Sequence, residues 1–389
     1  MNFKTIKDID LKGKVALVRV DYNVPVSDDG IIQDTTRIDA SLPTIKYLQD
    51  HGAKIILLSH RGRPKAKRQA SLSLKIVADY LSDQLDKSVK FFLKAPIALQ
   101  EGDVALHENI RFEEGEEKND ESLAIELSKM GDIFVQDAFA TAHRAHASTV
   151  GVTRFLPSYA GLLMEKELIS LNQILESPER PLTALVGGAK IASKIDLLKN
   201  LVKKTDYLVL GGGMANTFLY AQGYDMKASL FEMEMKQTAL SILEEAEKNN
   251  CQVILPKDLI VAKEFKANAS HKTKSIDALE TGDMALDIGQ TSIENVKEII
   301  NKSKSVVWNG PLGAFEIEPF DNGTNQLAKY VANKTRNNEI QSIAGGGDTV
   351  SALNKAKSAN DFTYISTAGG AFLEWLEGKE LPGIKAIEN

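Results

Sequence analysis

The sequence predicts an α/β protein with parallel sheets in two domains, and three observations support this fold class. The chain has 389 residues, which is long for a single hydrophobic core. Short apolar runs alternate with helix-like segments, as in the βαβ units that build a parallel sheet. In the second half of the chain, glycines follow most of the apolar runs. Because ligands bind beyond the carboxyl ends of parallel strands, these glycines indicate a binding edge.

The first half of the chain contains four apolar runs that we expect to be strands. They lie at residues 15–20, 55–58, 104–106 and 133–135, and a helical stretch near residues 39–51 precedes the second. Polar and basic residues follow these runs: Asp21, Asn23, Arg37, His60, Arg61, Arg63, Arg111, His143, Arg144 and His146. Arginine forks suit carboxylates and phosphates, which favours a pocket for a small polyanion. The alternative is a set of solvated loop charges.

Composition argues against several classes of function. The formal net charge of −6 speaks against general nucleic-acid binding, although it allows a local basic pocket. Cys251 is the only cysteine, so neither an intramolecular disulfide nor a cysteine-rich zinc site is expected. The acidic run at residues 113–121 is expected to be a solvated loop. The start of the chain lacks a signal-peptide core, and no apolar stretch approaches the roughly 18–20 residues of a membrane span, which predicts a cytoplasmic protein.

Residues 151–180 are expected to connect the two domains. Residues 162–175 have the pattern of a long amphipathic helix, and Pro178 and Pro181 should end it. We therefore place the change of domain within this region.

The second half repeats an order of strand, glycine and helix. Apolar runs at residues 184–186, 207–210, 305–308 and 364–365 lead into loops that contain glycine. Glycine at most strand ends of one sheet suggests a nucleotide lying across that edge. Lys190 and Lys194 are four residues apart, so on a helix they would share a face and could neutralise phosphate oxygens. The alternative is a pair of surface lysines.

The stretch at residues 341–353 carries the strongest local signal for phosphate. Gly345, Gly346 and Gly347 follow an apolar run, and Asp348 and Thr349 come next, where either could cap a helix. Free N–H groups at a helix start favour an anion. An aspartate there would repel phosphate unless a cation lay between them, which suggests Mg²⁺. An ordinary glycine-rich turn is the competing interpretation.

Familiar nucleotide motifs do not occur in the chain. There is no P-loop signature, the third glycine of a dinucleotide fingerprint is missing after Gly213, and the protein-kinase motifs are absent. A basic half and a glycine-rich half still favour phosphoryl transfer between two separately bound substrates. A non-catalytic two-lobed binding protein and a nicotinamide dehydrogenase are the rival interpretations.

Five motifs together resemble the phosphoglycerate kinase family. They lie at residues 18–25, 59–64, 187–194, 308–316 and 345–349, and the resemblance continues to residues 376–383. It implies two doubly wound, Rossmann-like parallel-sheet domains joined by a hinge helix. Residues 1–170 would bind the glycerate substrate and residues 171–370 the nucleotide, and a tail at about residues 371–389 would pack back on the first domain. The implied protein is a glycolytic monomer that uses Mg²⁺ and transfers a phosphoryl group reversibly from 1,3-bisphosphoglycerate to ADP, giving 3-phosphoglycerate and ATP.

The same resemblance implies roles for individual residues. The glycerate substrate would contact Asp21, Tyr22, Asn23, Arg37, His60, Arg61, Gly62, Arg63, Arg111 and Arg144. The nucleotide would contact Lys194, Gly211, Gly212, Gly213, Leu312, Glu316, Gly346, Gly347, Asp348 and Thr349. Glu316 would bind the ribose hydroxyls and Asp348 the Mg²⁺ ion. The catalytic set would be Arg37, Lys190, Gly346 and Gly369. The substrate carboxylate attacks directly, so His60 is interpreted as a hydrogen-bond donor and not as a general base.

The chain departs from the family pattern in its closing loop. Where the family usually has Ser-Thr-Gly-Gly-Gly-Ala-Ser, residues 366–372 include Ala368 and Phe372. Ala368 matters only if its backbone requires a positive φ or its methyl group obstructs closure. Phe372 is expected to pack beside Trp375 or Leu376 and not to face phosphate.

Overall fold

The computed structural model describes residues 3–94 and 98–388, and the chain divides into two compact units. The first unit holds the chain up to Ile169 together with the residues from Glu380 onward. The second unit runs from Ser170 to Lys379. The change of unit therefore falls within the helix Leu162–Leu175, whose bounds agree with the sequence prediction.

The first unit is built on a sheet of six parallel strands in the order β3-β4-β2-β1-β5-β6. These strands are β1 (Val15–Arg19), β2 (Lys54–Leu58), β3 (Lys90–Phe92), β4 (Val104–His107), β5 (Ile133–Gln136) and β6 (Ser158–Ala160). The helices are α1 (Thr36–Asp50), α2 (Lys75–Gln84), α3 (Glu121–Ser128) and the beginning of α4 (Leu162–Leu175). All four strands expected in this half are confirmed. Their interiors are apolar because both faces of a doubly wound sheet are covered.

The second unit contains another six-stranded parallel sheet, in the order β15-β14-β13-β7-β8-β9. Its strands are β7 (Leu182–Val186), β8 (Tyr207–Leu210), β9 (Gln252–Ile254), β13 (Ser305–Asn309), β14 (Gln341–Gly345) and β15 (Tyr364–Ser366). A smaller antiparallel sheet has the order β11-β10-β12, with β10 (Asp258–Ala262), β11 (His271–Ser275) and β12 (Met284–Ile288). Sequence reasoning missed this sheet, because β11 is polar and mostly exposed and carries no apolar pattern.

Seven helices of the second unit alternate with these strands. They are α5 (Ile195–Lys204), α6 (Gly212–Ala221), α7 (Lys236–Lys248), α8 (Gln290–Lys302), α9 (Asn322–Arg336), α10 (Gly347–Lys355) and α11 (Gly370–Leu376). The last helix, α12 (Pro382–Lys385), belongs to the first unit. Within the described ranges, no helix is both long and apolar enough to cross a membrane.

The C-terminal tail returns to the first unit later than the sequence suggested. We expected the return at about residue 371, but residues up to Lys379 belong to the second unit. Two contacts hold them there. Phe372 is fully buried against the backbone of Gly345, and the Asn200 side-chain amide donates a 2.7 Å hydrogen bond to the carbonyl of Leu376. The tail contacts the first unit at Gly383, whose N–H donates to the carbonyl of Ala142.

Candidate functional site

A basic cluster lies at the carboxyl ends of β1, β2, β4 and β5 in the first unit. We define it as Arg19, Arg37, His60, Arg63, Arg111, His143, Arg144 and His146. These residues come together because the carboxyl ends of parallel strands share one edge of the sheet. The sequence analysis did not assign Arg19 a role. Its signal was a charged residue inside an apolar strand, and the side chain is completely buried.

Arg37 is held at this edge by two acceptors. Its Nη1 donates to Asp21 Oδ2 at 3.0 Å and to the carbonyl of Asn23 at 3.1 Å. The Asn23 side chain in turn accepts from the N–H of Gly62 at 2.9 Å. The loop after β1 and the loop after β2 are thereby hydrogen-bonded to each other beside the Arg37 guanidinium. The Arg37 side chain remains about one-third exposed.

Tyr22 and Arg61 lie at the same edge but turn their side chains away from solvent. The Tyr22 ring is fully buried, and its hydroxyl is paired with that of Ser41 at 3.0 Å. Arg61 is also buried, and it donates to the carbonyl of Ser73. Their side chains therefore support the loops that carry Asn23 and Gly62, whereas Arg63 is exposed.

His60 is nearly buried among positive charges. Burial first, and then Arg19, Arg111, Arg144 and His146, hold the pKa of His60 well below its usual value. The ring is therefore neutral at physiological pH. Its Nδ1 atom lies 3.3 Å from Nη2 of Arg19.

Arg111 and Arg144 supply further positive charge beside His60. Arg111 is buried, and its Nη1 donates to the carbonyl of Gly62 at 2.7 Å. Burial, followed by repulsion from Arg144, lowers the pKa of Arg111 to about 10. Arg144 Nε donates to Nε2 of His143 at 3.0 Å, and burial lowers the pKa of His143 to about 4. Crowded, partly desolvated cations of this kind favour a bound anion.

The expectation that residues 113–121 form a solvated loop is wrong for Glu116. This carboxylate is fully buried and accepts from the N–H of Ser148 at 2.9 Å and from its hydroxyl at 2.6 Å. Burial alone would raise its pKa, but His146, Arg19 and Ser148 outweigh burial and lower it. Glu116 is therefore a counter-charge beneath the basic cluster. Glu121 does not lie in a loop either, because it begins α3.

A glycine-rich cleft with a volume of about 750 Å³ lies in the second unit. It is lined by loops that follow β7, β8 and β13, by the start of α10, and by β12. The glycines let these loops approach closely: a Cβ on Gly187 would lie 1.8 Å from the carbonyl oxygen of Pro311. A Cβ on Gly212 would lie 2.7 Å from the carbonyl oxygen of Gly188. Part of the glycine signal in the sequence is therefore a packing requirement.

Lys190 and Lys194 both line this cleft, but not as neighbours on a helix. The helix expected there begins only at Ile195, and Lys194 occupies its N-cap position with non-helical backbone (φ −135°, ψ 18°). Lys190 is exposed. The Lys194 ammonium group donates to Gly187 O at 2.8 Å and to Asn309 Oδ1 at 2.7 Å. Burial lowers the pKa of Lys194 to about 8, although nearby Asp348 opposes that shift.

The turn after β14 also differs from the expected capping arrangement. Gly346, with φ of 97°, occupies the N-cap position of α10, so neither Asp348 nor Thr349 caps the helix. The Thr349 hydroxyl instead accepts from the N–H of Gly310 at 2.7 Å. A Cβ on Gly346 would lie 2.9 Å from Asn309 Nδ2, so this position requires glycine for space as well as for φ. Gly347 and Asp348 are exposed, and Asp348 lines the cleft.

The remaining candidates for nucleotide contact divide into two groups. Gly212, Gly213 and Glu316 line the cleft. Gly211 and Leu312 are buried and packed on each other, since a Cβ on Gly211 would lie 2.6 Å from the Cα of Leu312. Sequence reasoning missed the apolar wall of the cleft, which comprises Leu230, Phe265, Met284, Leu286 and Phe315. Several of these residues come from the antiparallel sheet and its loops, whose position no local pattern reveals.

In the closing loop, the conformation that requires glycine lies at Gly369 and not at Ala368. Gly369 has φ of 51° and occupies the N-cap position of α11, whereas Ala368 is not among the residues with positive φ. Phe372 is fully buried, and a Cβ on Gly345 would lie 2.5 Å from its Cδ1 atom. The ring therefore packs on the end of β14, a partner that was not expected from the sequence, and the expected contact with Trp375 or Leu376 stays a prediction.

Asp348 fits the requirements of a magnesium ion that is bound together with a nucleotide. No group of three or more His, Cys, Asp or Glu residues in the described chain could hold a metal ion by itself. Mg²⁺ commonly uses one or two carboxylates and completes its shell with substrate phosphates and water. An exposed carboxylate in the cleft, beside Lys194, has the chemistry for such a site.

Comparisons with known proteins agree on one family. The model of the family described as phosphoglycerate kinase matches residues 6–379. The phosphoglycerate kinase of Rhizobium meliloti (strain 1021) is 52% identical over 396 aligned residues, which cover 100% of this chain and 99% of the relative. That of Sinorhizobium fredii (strain NBRC 101917 / NGR234) is 53% identical, with the same coverage.

Solved structures show the same relationship. The phosphoglycerate kinase structure from Coxiella burnetii has a TM-score of 0.95 and 43% identity, and covers 99% of this chain and 98% of its own. The structure from Pyrococcus horikoshii OT3 has a TM-score of 0.78 and 31% identity with the same coverage. Sequence, fold and the two sets of clustered residues thus lead to one conclusion: this chain belongs to the phosphoglycerate kinase family of phosphotransferases.

Proposed function

We propose that this protein transfers a phosphoryl group reversibly from 1,3-bisphosphoglycerate to ADP, giving 3-phosphoglycerate and ATP. The observation that supports this most is that the two units of this family member carry different kinds of binding group. One unit gathers buried cations at a sheet edge, and the other has a glycine-rich cleft with Lys190, Lys194 and Asp348. The cations of the first unit suit a small polyanion, and the cleft of the second unit suits a nucleotide.

In the first unit, the glycerate substrate would be bound by the exposed part of the basic cluster. Arg37 and Arg63 offer guanidinium groups to its carboxyl and phosphate oxygens. The pairing of Arg37 with Asp21 fixes the direction of that guanidinium before the substrate arrives. His60, being neutral, would donate a hydrogen bond. Arg111 and Arg144 would add positive charge, and Tyr22, Arg61, Asn23 and Gly62 would maintain the loops.

In the second unit, the nucleotide would occupy the glycine-rich cleft. The apolar wall that includes Phe265 and Leu286 suits a base, and Glu316 would accept from ribose hydroxyls. The phosphates would lie near Lys190, Lys194 and the N–H groups at the start of α10. Gly211 and Leu312 would shape the cleft from behind.

The reaction needs charge stabilisation and alignment more than it needs a reactive side chain. The substrate carboxylate is itself the nucleophile in the direction that forms 1,3-bisphosphoglycerate, so no covalent enzyme intermediate is required. Arg37, Lys190 and the backbone N–H groups near Gly346 and Gly369 would offset charge on the transferred phosphoryl group. Mg²⁺ held by Asp348 would, when bound, neutralise phosphate charge.

Catalysis would also require closure of the two units. Each unit carries one of the two proposed binding sites, and α4 contains the point at which the chain passes between them. We propose that α4 acts as a hinge and that closure excludes water from the transferred group. We further propose a cytoplasmic monomer. Each proposed site draws its side chains from one chain, and the single cysteine, Cys251, is free and buried.

A coupled assay with 3-phosphoglycerate, ATP and Mg²⁺ tests the proposal directly. ADP should form only when all three are present, and the reverse reaction should make ATP from 1,3-bisphosphoglycerate. A protein that binds both ligands without turnover would instead be a two-lobed binding protein. The dehydrogenase alternative has lost its support, because the chain belongs to a family of phosphotransferases.

A further inference from the structure

We infer that Arg19 is a positioning residue that locks the His60 imidazole in the tautomer with its proton on Nε2. This inference deepens the proposed function, because it rests on His60 being a hydrogen-bond donor to the glycerate substrate. Arg19 ends β1 and His60 follows β2, and these strands are parallel neighbours in the sheet. Both side chains are 5% exposed or less, so water does not compete for their contact.

The direction of the hydrogen bond between them is forced by chemistry. A guanidinium group has five N–H donors and no acceptor. His60 Nδ1, 3.3 Å from Arg19 Nη2, can therefore take part only as an acceptor with its lone pair. In a neutral imidazole one nitrogen accepts and the other carries the proton. The proton must then be on Nε2, which becomes the only N–H donor that the ring can offer.

A second series of hydrogen bonds, whose donors and acceptors are also fixed by chemistry, holds Arg19 itself in place. Arg19 Nε donates to Ser148 Oγ at 2.9 Å, and Nη1 donates to the carbonyl of Val20. The Ser148 hydroxyl must therefore donate its single proton elsewhere, and Glu116 Oε1 accepts it at 2.6 Å. Each of the three guanidinium nitrogens thus donates to a fixed partner. The buried negative charge of Glu116 keeps the assembly from carrying an uncompensated cation.

The charges that surround His60 work in the same direction. Arg19, Arg111, Arg144 and His146 all disfavour a protonated ring. The carboxylate in this hydrogen-bond network, Glu116, is separated from His60 by Ser148 and Arg19. Asp21 also acts on Arg19 electrostatically. A ring whose protonation is disfavoured, and whose Nδ1 already accepts from Arg19, has one defined state to present to a ligand. That state suits an acceptor oxygen of a carboxylate, a phosphate or a hydroxyl group.

The first test needs neither a variant nor a substrate. Long-range ¹H–¹⁵N correlation spectra of the histidine-labelled protein report which ring nitrogen carries the proton. His60, assigned by its loss in His60→Ala, should show a protonated Nε2 and an unprotonated Nδ1, and it should titrate at lower pH than an ordinary histidine. A signal with the proton on Nδ1, an equal mixture of tautomers, or ordinary titration would overturn the inference.

The second test asks whether Arg19 acts through His60. Arg19→Met keeps much of the side-chain volume but removes every donor, and it should produce a mixture of the two neutral tautomers of His60. Arg19→Lys retains one donor and should restore the Nε2–H state in part. Arg154→Met, which removes an exposed arginine from the same unit, is the control and should leave the spectrum unchanged.

A double-mutant cycle then connects the tautomer to substrate affinity. Arg19→Met should raise the KM for 3-phosphoglycerate about tenfold, the effect of losing one hydrogen bond to a charged group. In the His60→Ala background the same change should have little further effect. An equal effect in both backgrounds would show that Arg19 acts without His60 and would overturn the inference. Absence of kinase activity in the wild type would contradict the proposed function instead, and would leave the tautomer measurement interpretable.

Discussion

At the scale of single residues, several charged side chains are held wholly or partly away from solvent. The surroundings of Lys194, Asp287, Glu116 and Arg19 shift the pKa of each group from its usual value. A pKa shift reflects a difference between the energies of two protonation states. Such a shift can therefore be tested by measuring proton uptake or the pH dependence of stability.

Lys194 should take up a proton when a nucleotide binds. Burial lowers the pKa of its ammonium group to about 8, so the free protein at pH 8 is only partly protonated there. A nearby phosphate would favour the charged form and raise that pKa again. Calorimetric titration with ADP at pH 8, in buffers of different ionisation enthalpy, should therefore give heats that depend on the buffer. Lys194→Met should abolish that dependence, and buffer-independent heats in the wild type would contradict the prediction.

Arg37→Ala and Lys190→Ala should lower kcat much more than they weaken nucleotide binding. Both side chains are proposed to contact the phosphoryl group most strongly in the transition state, and loss of such a donor typically costs about 100-fold in kcat. Steady-state kinetics with both substrates provides the measurement. Lys199→Ala, which removes an exposed lysine of α5, is the matched control. Unchanged kcat with raised KM values alone would refute the proposed contacts.

Asp287 should make the protein less stable as the pH rises. This carboxyl group is buried beneath Gly313 and accepts from the N–H groups of Gly323 and Ile288. Burial, assisted by Asp321, raises its pKa to about 8. The folded state therefore binds more protons than the unfolded state between about pH 4 and pH 8, and the free energy of unfolding falls over that range.

Urea unfolding at pH 5 and at pH 8 should reveal this effect as a difference between variants. Asp287→Asn, which cannot ionise, should gain stability relative to the wild type as the pH rises. The exposed Asp225→Asn should show a flat difference over the same range, because the pKa of Asp225 lies below its usual value. A flat difference for Asp287→Asn as well would show that Asp287 is already ionised in the folded protein.

At the scale of elements, loops that follow parallel strands position the candidate sites, and glycines control how closely those loops approach. The end of β14 illustrates this: Gly345 leaves space for the Phe372 ring, and Gly346 caps α10 with a positive φ. The closing loop and α11 are thereby packed directly on the strand that leads to Asp348. A substitution in one of these elements should therefore alter the packing of the other.

Phe372→Ser should cost stability more than catalysis. The ring is fully buried, and deletion of a buried aromatic side chain costs about 3 kcal/mol or more. Ala368→Gly should change turnover by less than about tenfold, because Ala368 needs no positive φ. Thermal unfolding and turnover of both variants would be compared with Phe155→Ser, which alters a 39% exposed ring. A Phe372→Ser protein of normal stability but strongly altered turnover would place the ring in the reaction.

At the scale of the whole molecule, the two proposed binding sites belong to separate compact units. The proposed direct transfer would bring the two substrates together, and binding energy from both ligands could drive the proposed closure. The unit boundary falls within α4, the helix proposed as the hinge.

Both ligands together should compact the molecule more than either ligand alone. Small-angle X-ray scattering would be recorded for the free protein, with 3-phosphoglycerate, with ADP, and with both. The radius of gyration should be smallest in the last sample, because only then are both proposed sites occupied. The same radius in all four samples would refute closure on the two substrates.

The sequence alone determined the periodic features of this protein. Continuous apolar runs predicted nine of the strands, and the pattern at residues 162–175 gave α4 with its observed ends, because burial and helical periodicity are recorded locally. Arginines and histidines after strands could be assigned to one edge, since parallel strands share their direction. The motifs then resembled one family, and the comparisons confirmed it.

Only the tertiary structure decided features that depend on residues distant in sequence. It showed that Glu116 lies beneath Arg19, that Lys194 donates to Asn309 before its helix begins, and that Gly346 and not Asp348 caps α10. It also placed the polar strand β11 in a sheet and kept residues up to Lys379 in the second unit. Burial of charge and the contacts of a loop are set by what packs against them, and no local pattern records that partner.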